Sequence, residues 1–112
     1  MNAIARLSDG RLVVGGSFRA AGPYLRANLL RVLADGTLDL AFDPGTDGEV
    51  FALAAVGSTL YVGGSFTRIA GTARSFAGAV DGNGAFLPWT PPVTGRVLAI
   101  ATAPGKIYLA GE

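Results

Sequence analysis

The sequence predicts an all-β fold built from about two and a half copies of a four-stranded antiparallel unit, with no substantial helix. Gly and Pro supply 23 of the 112 residues, 17 Gly and 6 Pro, and this frequency penalises helices throughout the chain. Short apolar runs are bounded by Gly, Pro, Asn and Asp, as in strands joined by tight turns. One motif also repeats after 48 residues. It comprises Gly15, Gly16, Ser17 and Phe18 in the first copy, and Gly63, Gly64, Ser65 and Phe66 in the second.

The elements of the first copy follow from its turn signals. Four strands are predicted, over residues 3–7, 11–18, 27–33 and 37–42. Asp9-Gly10 and Asp35-Gly36 suit tight hairpin turns, because Asp and Gly accept positive φ. A longer loop over residues 19–26 connects the second and third strands. In the second copy, Asn83-Gly84 takes the place of Asp35-Gly36.

A four-stranded unit with a period near 48 residues is typical of a β-propeller blade, for which repeats run about 40–50 residues. We therefore divide the chain into unit 1 (residues 1–49), unit 2 (residues 50–96) and unit 3 (residues 97–112). Unit 3 is expected to be a half blade that contains the inner two strands. A plain β-sandwich is the alternative fold, although a sandwich does not require a repeat.

Four segments resemble a known family of propeller repeats. DGRLVVGGSF at residues 9–18 and LADGTLDLAFDPG at residues 33–45 are similar to the delta-sixty repeat, a propeller-type domain of unassigned function. LYVGGSFT at residues 60–67 and GAFLPWTP at residues 84–91 resemble a variant of it. The resemblance implies a bacterial protein, extracellular or on the cell surface, with many such units, and it transfers no catalytic residue. Unit 3 departs from the pattern, since Leu-Ala-Gly-Glu at residues 109–112 replaces the full Gly-Gly motif.

The number of units is too small for a closed ring. Dividing 112 residues by 48 gives about 2.3 units, whereas closed propellers have about four blades or more. Three interpretations stay open: the chain is a fragment of a longer protein, several chains complete one ring, or the units form a compact open stack. Residues 107–110 are apolar and lack a polar cap, which predicts an exposed edge or face that favours association. The expected partners are further propeller blades or copies of the chain itself.

The composition excludes several functional classes. Without Cys or His, the chain offers no disulfide, no thiol nucleophile, none of the usual nitrogen and sulfur ligands of zinc and not the commonest general base. Its nine cations and eight acids are interspersed, without the basic stripe that is typical of nucleic-acid binding. No apolar stretch approaches the roughly 18 residues that span a bilayer, and the N-terminus lacks a signal-peptide pattern. We expect no cofactor, no nucleic-acid partner and no membrane insertion.

Four residues are weak candidates for ligand binding. Arg26 and Arg74 occupy equivalent places after the long loop and could bind acidic ligands or sugars. Their repetition favours a role in clamping loop carbonyls or a neighbouring carboxylate instead. Trp89 could stack on a sugar ring, yet it stands where unit 1 has Phe42 and is expected to pack between blades. Tyr24 has no counterpart in unit 2 and is the best candidate for an exposed contact.

A weak calcium site is also considered at the boundary of unit 1 and unit 2. Asp43, Asp47 and Glu49 place three carboxylates within seven residues, and oxygen ligands can hold Ca²⁺. The corresponding residues 91–96 of unit 2 contain no acid, so a solvated turn between units is the favoured interpretation.

These observations predict a non-catalytic structural or interaction module. Ser17 and Ser65 do not stand in a nucleophile elbow, and no His is present to activate a hydroxyl. One alternative is a carbohydrate-binding, lectin-like propeller with a glycan ligand. A second alternative is a fragment of a propeller enzyme whose site lies in other blades. The inner strands disfavour the enzyme, because small apolar residues occupy them: Ala3, Ala5, Ala52, Ala54, Ala99 and Ala101.

Overall fold

The computed structural model describes residues 3–7, 10–21, 24–39, 42, 44–56, 59–82, 84–88, 95–103 and 106–111. Over these ranges the chain forms thirteen strands and no helix, which confirms the all-β prediction. This part of the chain accordingly contains no helix that is long and apolar enough to cross a membrane.

Each unit is built around antiparallel strands that follow one another in sequence. Unit 1 contains β1 (Ala3–Arg6), β2 (Leu12–Gly15) and β5 (Leu29–Val32) in the order β1-β2-β5. Unit 2 contains β6 (Val50–Val56), β7 (Thr59–Gly64), β10 (Ala77–Val80) and β11 (Phe86–Leu87) in the order β11-β10-β7-β6. Unit 3 contains β12 (Val97–Ala103), which pairs with β13 (Lys106–Gly111). Unit 2 therefore has the four strands of a blade, and the described part of unit 3 has two.

The loop after the second strand holds a small additional hairpin in both units. In unit 1, β3 (Ala20–Ala21) pairs with β4 (Tyr24–Leu25), and in unit 2, β8 (Arg68–Ile69) pairs with β9 (Thr72–Ala73). Ala70 and Gly71 form the turn of the second hairpin with φ of 51° and 78°, as in a type I′ turn. Two-residue strands are too short to show an apolar alternation, so the prediction of a plain loop over residues 19–26 is incomplete.

The fourth strand of unit 1 is shorter than the predicted strand over residues 37–42. Leu38 forms an isolated bridge to β5, and the Asp39 N–H donates to the Arg31 carbonyl oxygen at 2.8 Å. The Phe42 N–H donates to the Asp39 carbonyl oxygen of its own segment at 3.3 Å and not to β5. The Phe42 side chain is buried. Phe42, whose apolar side chain suggested a longer strand, packs in the core between the units instead.

The core lies between the sheets of unit 1 and unit 2. Its buried apolar side chains come from both units: Ala5, Val13, Leu29, Phe42, Val50, Leu60, Val62, Phe66, Ile69 and Val80. Each fully buried side chain of Val, Leu, Ile or Phe contributes about 1.5–3 kcal/mol. The first strand of unit 2, β6, packs against both β1 and β12. Stacking of successive units is therefore what buries the large apolar side chains.

Candidate functional site

The first glycine of each Gly-Gly motif lies where two units stack. A Cβ added at Gly15 would lie 2.5 Å from Cγ1 of Val50, which is on β6. A Cβ added at Gly63 would lie 2.6 Å from Cγ1 of Val97, which is on β12. Both distances are shorter than a van der Waals contact between carbon atoms, for which the optimum is about 3.5–4.0 Å. The glycine therefore makes room for the first strand of the next unit, and the repeated motif is a packing device.

Two backbone hydrogen bonds hold the segment that begins at the second glycine of the motif, and both units contain them. The Gly16 N–H donates to the Asn28 carbonyl oxygen at 3.1 Å, and the Asn28 N–H donates to the Phe18 carbonyl oxygen at 2.9 Å. Phe76 takes the place of Asn28 in unit 2 and makes the same two bonds, at 2.9 and 2.8 Å. Both residues have positive φ, 65° and 73°. Asn suits this conformation, and its Oδ1 also accepts a bond of 3.1 Å from the Phe18 N–H.

The linker that joins unit 1 to unit 2 is anchored on both sides. The Thr46 N–H donates to the Ala27 carbonyl oxygen of unit 1 at 3.0 Å, and Nδ2 of Asn28 donates to the Thr46 carbonyl oxygen at 3.0 Å. On the other side, Thr46 forms an isolated antiparallel bridge with Ile69 of unit 2. The linker thus fixes the small hairpin of unit 2 against the backbone of unit 1.

Asp47 extends this anchoring through its side chain. Its carboxylate accepts hydrogen bonds from the Thr67 N–H at 2.7 Å, the Thr67 hydroxyl at 2.6 Å and the Arg68 N–H at 2.9 Å. The bond from the Thr67 hydroxyl is the largest cause of a lowered pKa of Asp47. The two backbone N–H groups lower this pKa further, and desolvation opposes them. The ionised carboxylate is therefore the form that holds unit 2 to the linker.

Replacing Asp47 with Asn is expected to destabilise the chain at neutral pH by about 1 kcal/mol, because an amide oxygen accepts hydrogen bonds more weakly than a carboxylate. The folded-state pKa of Asp47 lies below its unfolded value of about 3.9, so the contribution is complete above that value and is lost as the pH falls through the folded-state pKa. Urea unfolding of both proteins at several pH values measures the difference. A stability difference that does not shrink in acid would contradict this role. Thr67→Val completes a double-mutant cycle for the hydroxyl bond.

A polar cleft of about 620 Å³ opens beside this linker and is the candidate binding site. Residues 17–19, 27–28 and 46–49 line it. Ser17 and Arg19 are exposed, Phe18 is half-buried, and Asp47 and Glu49 add two carboxylates. Within the described part of the chain, Arg19 forms no ion pair. The cleft thus offers a cation, two acids, a hydroxyl and an aromatic ring around one space. No motif or repeat in the sequence singles out Arg19.

The two equivalent arginines are largely removed from solvent. Arg26 is buried and Arg74 is half-buried. Nη1 of Arg74 donates to the Ala73 carbonyl oxygen at 2.9 Å, and its guanidinium carbon lies 4.8 Å from the centre of the Phe86 ring. For Arg74, this is the clamping of a loop carbonyl that the repetition predicts, with a cation–π contact added. Neither arginine lines the cleft, and ligand binding by either stays a prediction.

Three other candidate residues are only partly placed or not placed at all. Tyr24 lies on β4, but its side chain is outside the described residues, as are Trp89 and Asp43. The calcium prediction depends on Asp43 and therefore stays a prediction. Of its other two carboxylates, that of Asp47 already accepts three hydrogen bonds. Across the described residues, no group of three potential metal-binding side chains occurs.

Sequence reasoning missed a buried ion pair in unit 1. Nε of Arg31 donates to Oδ2 of Asp39 at 2.8 Å, and both side chains are buried. Nη1 of Arg11 lies 3.6 Å from the same Asp39 oxygen. Nη1 of Arg31 also donates to the Gly82 carbonyl oxygen of unit 2 at 2.6 Å, and its guanidinium carbon lies 4.3 Å from the centre of the Phe42 ring. The cluster therefore joins the outer parts of both units.

Internal comparison of the repeats contains the signal that could have revealed this pair. Ala79 and Leu87 stand 48 residues after Arg31 and Asp39, and they face each other in the β10–β11 pairing. A charged pair in one unit thus replaces an apolar pair in the other. Such a joint exchange indicates contact between the two positions.

One comparison with known proteins, against protein families, agrees with this architecture. Residues 7–42 match the family described as "Domain of unknown function (DUF5122) beta-propeller". Searches among curated proteins and among solved structures found no match. The sheets and the family match over residues 7–42 together support a β-propeller-type repeat fold. The narrower name, delta-sixty repeat, stays a prediction.

Proposed function

We propose that the chain is a non-catalytic structural and interaction module of a bacterial protein that acts outside the cell or on its surface. The observation that carries the proposal is that the polar side chains between the units bind other parts of the same chain. Asp47 binds the backbone of residues 67–68, and Arg31 binds both Asp39 and the Gly82 carbonyl oxygen. These groups hold turns and units together, and the Asp47 carboxylate beside the cleft already accepts three hydrogen bonds. The location rests on the family resemblance alone.

An activity screen tests the non-catalytic part of this proposal. The purified chain is assayed with fluorogenic ester, glycoside and phosphate substrates. Glu49→Gln serves as the matched variant, because Glu49 is the cleft carboxylate that a hydrolase would use. We expect no turnover above the level of a heat-denatured sample in either protein. Turnover by the chain that disappears in Glu49→Gln would overturn the proposal.

A second candidate function is the binding of a neutral oligosaccharide, and the cleft beside the linker favours it. Sugar hydroxyls both donate and accept hydrogen bonds, and the exposed Arg19 and Ser17 lie near two carboxylates. Phe18 adds a half-buried aromatic ring. The volume of about 620 Å³ falls in the range of small-molecule sites, about 300–1,000 Å³.

A glycan array with isothermal titration of any hit tests this candidate. Binding at the cleft is expected to be lost in Arg19→Ala and kept in Arg6→Ala, which removes an exposed arginine outside the cleft. Loss in Tyr24→Ala or Trp89→Ala, with Arg19→Ala unaffected, would place a sugar at those aromatic residues instead. Absence of any glycan signal would reject the carbohydrate function.

A further inference from the structure

Arg74 lies in the middle unit, directly after its small hairpin. The Arg74 N–H donates to the Thr67 carbonyl oxygen at 3.0 Å, which fixes the backbone where β9 ends. The guanidinium carbon lies 4.8 Å from the centre of the Phe86 ring. Phe86 is on β11 and packs against the core. Two elements of unit 2 therefore hold the Arg74 side chain in one place.

Arg31 shows how this fold surrounds a buried arginine. Its Nη1 donates to the Gly82 carbonyl oxygen at 2.6 Å, and its guanidinium carbon lies 4.3 Å from the centre of the Phe42 ring. Its Nε donates to the Asp39 carboxylate at 2.8 Å. A carbonyl group and an aromatic ring carry only partial charges. The carboxylate therefore supplies the full negative charge that a buried cation requires.

Arg74 has a carbonyl group and a ring in the same arrangement but lacks the carboxylate. Its Nη1 donates to the Ala73 carbonyl oxygen at 2.9 Å, and its guanidinium lies over the Phe86 ring. Its Nε is buried, and no described group accepts a hydrogen bond from it. Arg74 also forms no ion pair in the described part of the chain. The chain's own residues thus remove a donor of a permanent cation from solvent without giving it an acceptor.

The guanidinium edge that carries Nε is suited to a carboxylate. Nε and Nη2 can donate two parallel hydrogen bonds to the two oxygens of one carboxylate, and such bonds are stronger where water is excluded. Arg74 as a whole is only half-buried, so a ligand can approach the exposed part of its side chain. Because Nε itself is covered, the side chain must shift before both bonds form. A single carboxylate is therefore expected to bind weakly, with a dissociation constant in roughly the millimolar range.

We propose that Arg74 binds the carboxylate of a small ligand, which takes the place that Asp39 has at Arg31. The recognised chemistry is the carboxylate, whether a sugar acid or an acidic amino acid carries it. The site is separate from the cleft beside the linker, which Arg74 does not line. The inference goes beyond the proposed function, because it defines a second contact of the module and the charge of its ligand.

Heteronuclear NMR of the arginine Nε–H groups tests the site, because it observes the donor atom itself. Sodium acetate is the probe, and sodium chloride at equal ionic strength is the control. The Arg74 resonance, assigned by its loss in Arg74→Lys, is expected to shift and saturate at about tenfold lower acetate concentration than the Arg68 resonance. Arg68 is the matched control, since it lies in the same hairpin, is exposed and donates Nη2 to the Gly71 carbonyl oxygen at 2.7 Å.

Glucuronate and N-acetylaspartate distinguish the two sources of the carboxylate. Each is titrated beside its neutral counterpart, glucose or N-acetylasparagine, and binding is followed at the backbone N–H groups near residue 74. The acid that binds more tightly identifies the source, and the neutral compounds are expected not to bind. Arg74→Lys is expected to weaken binding of the acid about tenfold, because an ammonium group lacks the paired donors of a guanidinium. Arg68→Lys is expected to retain it.

Three results would overturn the proposal: an Arg74 resonance that acetate does not move, a shift equal to that of Arg68, or an Arg74→Lys variant that binds the acid as tightly as the wild type. Far-UV circular dichroism checks the fold of the variants, and the acetate titration of the wild-type chain does not depend on them. A negative result at Arg74 would leave the non-catalytic assignment standing, since the activity screen tests that assignment separately.

Discussion

Gly64→Ala is expected to lower the free energy of unfolding by about 3 kcal/mol, because the new methyl group overlaps backbone. A Cβ at Gly64 would contact the Glu49 carbonyl oxygen and lie 3.0 Å from Cα of Val50. The Glu49 oxygen cannot easily move, since it accepts a hydrogen bond of 2.9 Å from the Ser65 N–H. Relief of the overlap would therefore break the start of β6 away from β7. Small domains are stable by about 5–15 kcal/mol, so this loss is large.

Gly36→Ala is the matched control for the glycine substitution. Gly36 has φ of +92° and no atom within 4 Å of an added Cβ. Its replacement with Ala places a residue with a Cβ in the left-handed backbone conformation, which costs about 1 kcal/mol. Urea unfolding followed by far-UV circular dichroism measures both variants. If Gly64→Ala costs no more than Gly36→Ala, close packing of the second glycine does not stabilise the blade.

Asp39→Ala is expected to cost about 3 kcal/mol, because it leaves the buried guanidinium of Arg31 without its carboxylate. Arg31 would retain the Gly82 carbonyl oxygen and the Phe42 ring, which carry only partial charge. The junction between unit 1 and unit 2 would loosen at its outer edge as a result. Asp35→Ala is the control, since Asp35 is exposed and its carboxylate binds only the Thr37 N–H and hydroxyl among the described contacts.

The double variant Arg31→Met with Asp39→Leu shows why Asp39→Ala loses stability. The cause is either the unpaired charge of Arg31 or the space that the smaller side chain leaves. Unit 2 already holds an apolar pair, Ala79 and Leu87, at the equivalent positions. Side chains of similar volume often replace a buried ion pair without loss, so the double variant is expected to recover at least half of the stability that Asp39→Ala loses. Chemical unfolding of all three proteins provides the comparison. A double variant as unstable as the single one would show that the charges themselves are needed.

The repeat made most of the fold predictable. Gly15 and Gly63 lie at equivalent positions and receive equivalent valines, because a shared sequence pattern places shared packing demands on each unit. Turn signals also located the hairpins at Gly10, Gly36 and Gly84, all of which have positive φ. The sequence was less informative about the outer strand of unit 1. Phe42 resembles a strand residue by its apolar side chain, and only its burial between the units shows that it serves packing.

The candidate site was less predictable than the fold. The repetition of Arg26 and Arg74 at equivalent positions favours a clamping role, and Nη1 of Arg74 donates to the Ala73 carbonyl oxygen. Arg19 and Glu49 carry no repeated pattern, and nothing in their local sequence indicates that they line one cleft. The spacing of the acids makes Asp47 a weak candidate for a calcium ligand, and only the tertiary structure shows that its carboxylate binds residues 67–68.

The sequence by itself determined the longer strands, the turns at Gly10, Gly36 and Gly84 and the repetition of the units, because these depend on local backbone preferences and on a periodic apolar pattern. The tertiary structure decided which polar groups meet. Arg31 contacts the Gly82 carbonyl oxygen, 51 residues away, and Asp47 contacts Thr67, 20 residues away. Contacts at such separations depend on how two sheets dock against each other. A side-chain hydrogen bond forms only when donor and acceptor lie about 3 Å apart. The docking of the sheets decides that distance for residues far apart in sequence, so local sequence patterns do not specify these bonds.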